Sequence, residues 1–200
     1  MQITTTLNRI KRFEDCKPVV DTLLVKCSEH PLGDDPIPFS TILDTCGLAY
    51  TILCCKAEPQ HFNVWYSYTV HCLYTARHLM GSRSFDAVVA AQHNCLNQKT
   101  ELPQHIRNRA FGAAHAAYLT ALCKQMESVS DEELKHARVR ETVAIAVLAL
   151  MQNKIDVAIE AAIKVAEPKT LIAIVSCFRR VVDTGWVPLI AQNDSGDTVS

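Results

Sequence analysis

Eight histidines and nine cysteines are the residues of this 200-residue chain that could hold a metal or attack a substrate. Their spacing limits that chemistry. Zinc takes four ligands in a tetrahedron, normally announced by short Cys-x-x-Cys or His-x-x-x-His spacings, and neither occurs here. His71, Cys72 and His78 fall on one helical stretch, but the two histidines stand about 10 Å apart along its axis, too far to share an ion. A cysteine nucleophile needs a base beside it. His93 with Cys95 and His115 with Cys123 are the nearest pairs in sequence; on a helix the first pair points apart, and the second is about 12 Å apart along the axis. Adjacent Cys54 and Cys55 cannot both face inward on a helix, so one of them is expected to be accessible. Asp34 and Asp35 lie in a proline-rich loop, and Asp131, Glu132 and Glu133 suit the positive end of a helix dipole. No Gly-x-Gly-x-x-Gly or Walker loop is present, so nothing offers to cradle a nucleotide's phosphates. No catalytic, metal-binding or cofactor-binding residue is nominated, and no cofactor is expected.

Binding is better supplied with candidates. Arg107 and Arg109 sit near one helix start, Lys135, Arg138 and Arg140 on another helix, and Arg179 with Arg180 on the last. Phe62, Trp65, Tyr66 and Tyr68 go right around a helix; Trp65 is expected in the core and Tyr66 on the surface. The residues nominated for contact with a partner are Tyr66, His71, His78, Arg107, Arg109, Lys135 and Arg138. A net charge of -1 and a pI near 6.7 supply no whole-molecule field to draw nucleic acid, so a protein partner is expected in its place.

The elements that must position these residues read as helices almost throughout. Apolar residues recur at helical spacing, sustained period-two alternation is missing, and there is no Asn-Gly or Asp-Gly hairpin turn. A short helix is expected over 4–13, a second from Pro18 to about Glu29, then a loop through Pro31, Gly33, Asp34, Asp35, Pro36 and Pro38. Ser40 is expected to cap a short helix, Gly47 to break the chain before a helix over 48–57, and Pro59 to stop that one. A long helix over 61–80 follows, ended by Gly81, with Ser82 or Ser84 capping the next. From Phe85 onward alanine dominates, and small side chains let helix axes approach toward about 8 Å. Ser130 to Glu133 forms a capping box for a helix reaching about Met151. Helices over about 154–166 and 169–183 end near Gly185.

The fold class expected is all-α, an irregular multi-helix bundle or short stack of helical hairpins with about eight to ten helices. One domain over 1–190 with a loose tail at 191–200 is expected. The 48% apolar content is enough to build one core. No stretch approaches the roughly 20 apolar residues of a bilayer span, and the early Arg9, Lys11 and Arg12 argue against a secretory signal, so the expected location is the cytoplasm. Nine scattered cysteines read as small buried hydrophobes of a reducing compartment.

The first 90 residues resemble an uncharacterised family of phage and bacterial proteins. The likeness rests on Leu7-Asn8-Arg9-Ile10 with Cys16, on residues 38–48 (PFSTILDTCGL) followed by Leu53-Cys54-Cys55-Lys56-Ala57, and on Trp65 through Arg77-His78-Leu79-Met80 and Ser84 to Asp86-Ala87. An alanine-rich helical tail follows in that family too, and the pattern is distantly similar to predicted immunity proteins of bacterial toxin systems. Two departures stand out: the family has Leu-Asp-Asp-Ala where Leu48-Ala49-Tyr50-Thr51 stands, and its tail is more regularly repetitive. The resemblance carries over no catalytic residue. It implies a phage- or prophage-encoded protein in the host cytoplasm. The function expected is a non-enzymatic helical protein-interaction module that binds and modulates a host or phage protein. An immunity-like protein neutralising a toxin, or a small enzyme with a Cys/His site assembled only in the fold, are the alternatives. Self-association through the alanine-rich helices also stays open.

Overall fold

The chain's breakers and caps cut it into helices largely as their side-chain chemistry dictates. A computed structural model describes residues 2–26, 33–96, 102–127 and 130–185. In chain order they form β1 (Thr4–Thr5), α1 (Leu7–Ile10), α2 (Lys17–Lys26), β2 (Ile37–Pro38), α3 (Phe39–Cys46) and α4 (Leu48–Cys54). Then come α5 (Phe62–Thr75), α6 (Ser82–Leu96), α7 (Gln104–Met126), α8 (Asp131–Met151), α9 (Ile155–Val165) and α10 (Pro168–Thr184), with short 3-10 turns between some of them. The fold is all-α and multi-helical, as expected. The expected end of the second helix at Glu29 and the tail at 191–200 lie outside the described residues.

Where a glycine had to take a positive φ, it does: Gly47 at 81° separates α3 from α4, and Gly185 at 71° closes α10. These are angles that a Cβ makes costly. Asn153, at φ 60°, does the same work after α8, and the Lys154 amide donates back to the Ala149 carbonyl at 2.9 Å. At the start of α8 the Ser130 hydroxyl accepts the Glu133 amide at 3.4 Å. The Glu133 carboxylate accepts the Ser130 hydroxyl at 3.1 Å, where a full capping box would bond the serine's backbone N–H.

Two expectations are corrected near the N-terminus. The first helix does not start at Thr4: Thr4 and Thr5 pair antiparallel with Pro38 and Ile37, β-branched residues favouring the extended backbone. Thr6 then caps α1 by accepting the Arg9 amide at 3.3 Å. Ser40 does not cap α3, which begins one residue before it at Phe39. No side-chain cap is needed there, because the Phe39 amide donates to the Ile3 carbonyl at 3.2 Å.

The core centres on four rings. Phe39 from α3, Trp65 and Tyr68 from α5 and Phe178 from α10 pack with centroids 5.1 to 6.2 Å apart, offset or tilted as ring quadrupoles favour. The polar atoms of the two larger rings are satisfied: Tyr68 donates to the Ile174 carbonyl at 3.0 Å and Trp65 Nε1 to the Glu58 carbonyl at 3.3 Å. The first and last described elements also meet, the Ile3 amide donating to the Val182 carbonyl of α10 at 2.7 Å. On the other side of the molecule α7 packs along α8 and beside α6.

Candidate functional site

The long helix α7 is built with its large side chains outside. It runs 23 residues, and its buried positions are all alanine: Ala110, Ala114 and Ala121. Those three lie on one line of the helix, which is what allows the close seam with α8 and α6. Rotating away from that line brings Phe111 (60% exposed), Tyr118 (46%), Leu119 (42%) and Met126 (77%) into solvent. His115 stands in the same stripe, stacked parallel to Phe111 with ring centroids 6.5 Å apart, and half-buried Leu122 completes it. Steps of 4, 3, 1, 3 and 4 residues from Phe111 to Met126 put all six within one third of the helix circumference. Singly exposed hydrophobes are ordinary; a continuous stripe of them is not.

The residues nominated from sequence do not form one cluster, although Arg107 comes close enough to act electrostatically on Tyr66. Tyr66 is corrected: it is half-buried against the core, not exposed, and burial pushes its hydroxyl's pKa upward. A second wall, which the α5 periodicity cannot reveal, covers it. His71 is half-buried, with its Nδ1 enclosed and without a hydrogen-bond partner among the described residues, and burial lowers its pKa from 6.5. His78 and Lys135 are exposed. Arg107 folds back on its own helix start, donating from Nε and Nη2 to the Leu102 carbonyl at 3.1 and 3.0 Å. Arg109 approaches Asp86 at 3.6 Å. Arg138 donates to the Glu141 carboxylate at 2.8 Å and to the side-chain amide oxygen of Gln125 at 2.6 Å, so it fastens α7 to α8.

The thiols also depart from expectation. Cys54 and Cys55 are both buried, because α4 ends at Cys54 and the 3-10 turn Cys55–Ala57 rotates the next side chain inward as well. A hydrogen bond with Cys16, and then burial, drives the Cys54 pKa far up. Desolvation does the same for Cys55, so both keep their protons at neutral pH. Cys16 is held below the ordinary thiol value, chiefly by that bond with Cys54. Among the described residues no group of three or more His, Cys, Asp or Glu is arranged to hold a metal ion.

One buried carboxylate was invisible in the sequence. Glu58, wholly buried in the turn before α5, takes Arg9 Nη1 at 2.6 Å and the Gln60 amide on one oxygen, while its Oε1 has no partner among the described residues. Its Arg9 contact ties α1 to the α4–α5 corner, and the same glutamate's carbonyl receives Trp65. Lys56 next to it joins Asp15 and Asp156, the latter at 2.9 Å. These pairs are mutually neutralising and read as ties between elements.

The class that fold and surface define is an all-α protein whose helix α7 leaves an apolar stripe uncovered among the described residues. No family model, curated protein or solved structure matches the chain. No helix of the described residues is long and apolar enough to cross a membrane.

Proposed function

We propose that this chain is a non-enzymatic helical protein-interaction module that docks a partner protein along α7 and so modulates it. The observation that carries this reading is the stripe from Phe111 to Met126, which exposes three large apolar or aromatic side chains and a methionine while alanines alone are buried. The helix spans roughly 34 Å, a length that suits an amphipathic helix lying alongside it with anchors at helical spacing. Aromatic and methionine side chains are the types enriched at such interfaces. The likeness of the first 90 residues to phage proteins supports a host or phage protein as the partner and the host cytoplasm as the place of action.

The test is a paired capture. Wild type and the double variant Phe111→Asp/Leu119→Asp are immobilised against lysates of uninfected and phage-infected bacteria, and eluates are compared by mass spectrometry. Both sites are solvent-exposed, so stability should change by no more than about 0.5 kcal/mol per site. A stoichiometric partner held by wild type should be lost from the variant, with affinity falling about 30-fold or more for each anchor removed. A partner retained equally by the folded variant would overturn the assignment of the face. A concentration-dependent dimer, seen by light scattering and abolished in the variant, would make the occupant a second copy of this chain.

A further inference from the structure

A cavity of about 390 Å³ opens where the first turn of α6 meets the α7–α8 hairpin, well away from the exposed α7 stripe. Its floor is apolar: Ala113 and Ala117 of α7 and Ala137 and Ala144 of α8, walled by Leu79 and Met80. Its rim is cationic. Arg83 comes from α6, Lys124 from α7 and Arg140 from α8, and none of the three has an ion pair or hydrogen bond among the described residues. His136 joins them, at 4.0 Å from Glu132. No aspartate or glutamate lines the cavity, whereas Lys56 and Arg9 are each paired with an acid.

Two further features point the same way. Helix α6 begins at this rim with no acidic side chain in its first turn, so the positive end of a 15-residue helix is left uncompensated beside three cations. Ser84, only 3% exposed, also lines the cavity. A volume near the lower end of the roughly 300 to 1,000 Å³ typical of small-molecule sites fits a short compound and not a helical peptide. We propose that this cavity binds a small amphiphilic anion: a phosphate or carboxylate head at the Arg83, Lys124 and Arg140 rim, with a short unbranched apolar chain over the alanine floor. This function is separate from the docking face.

Isothermal titration of the full chain with a series of alkyl phosphates tests it. Octyl phosphate should bind saturably at one site per chain. Shortening the chain from octyl to butyl should weaken binding by up to about fourfold per methylene removed, and inorganic phosphate and octyl glucoside should each bind at least tenfold more weakly. Arg140→Ala should weaken octyl phosphate about tenfold, and Ala117→Trp, which fills the cavity, should abolish binding. Melting curves check that both variants stay folded, and exposed Arg83→Ala replaces any that does not. Equal affinity for octyl glucoside, or for inorganic phosphate, would overturn the two-part site. Binding to phosphatidylglycerol vesicles without binding of monomeric octyl phosphate would overturn it in favour of a bilayer surface, and no binding of any probe would overturn it outright.

Discussion

The two sides of the molecule solve the packing problem in opposite ways. Around α3, α5 and α10 the core is made of size, with Phe39, Trp65, Tyr68 and Phe178 filling it and their polar atoms bonded to carbonyls. Along α7 and α8 it is made of closeness. The main hydrophobic cluster takes in Ala110 but neither Ala114 nor Ala121, although both are buried. Large residues are available on α7, yet Phe111, Tyr118, Leu119 and Met126 point to water. A helix that needed them for its own stability would have turned them toward α8, so their outward placement fits a role in contact with another molecule.

Breaking the ring cluster should cost the most. Phe178→Ala removes a fully buried ring that touches Trp65 and Tyr68, and should lower the unfolding free energy by about 3 to 5 kcal/mol, read from a urea transition. Overfilling the alanine seam should cost less and stay local. Ala114→Leu forces a side chain between helices with no room for it, which should destabilise by about 1 to 3 kcal/mol. Its signature is faster amide exchange along α7 and α8 with the ring cluster still protected. If exchange rises equally everywhere, the two regions are one cooperative unit and the contrast between them is wrong.

The smallest effect is a dependence on pH at the seam between the regions. His71 shares a face of α5 with Ser67 and Tyr74; the first bonds Cys95 of α6 and the second packs 5.9 Å from Phe85 of α6. Burial lowers the folded pKa of His71 below 6.5. The unfolded chain therefore binds more protons than the folded one once pH drops below that value, and stability is lost as pH falls toward the folded pKa. Urea midpoints of wild type should decline between pH 7 and pH 5 more steeply than those of His71→Leu. Parallel declines would remove His71 from the account.

Local chemistry made much of the fold legible. Gly47, Gly185 and the Ser130 box sit at helix ends because each answers a requirement set within a few residues. The short ladder of β1 and β2 was not legible, since two residues cannot show a period and the pairing spans the chain from Thr4 to Pro38. Nor was the covering of Tyr66 or the burial of Cys55, which are decided by what packs from elsewhere. The α7 stripe is a different case. Its spacing is present in the sequence, but the alanines of the same helix draw the eye first, and which of two faces is covered depends on α8 and α6. Glu58 carried no signal at all, because its partner Arg9 stands 49 residues away.

The bond from the Ile3 amide to the Val182 carbonyl has a consequence for how the protein is born. The ribosome releases residue 3 long before residue 182 exists, and Phe178, the ring that joins Trp65 to Tyr68, is likewise made long after both of them. The N-terminal segment must wait, its apolar surface open, until α10 leaves the exit tunnel. Native closure thus waits on α10, and a chain stalled shortly before α10 should remain a substrate for chaperones and proteases.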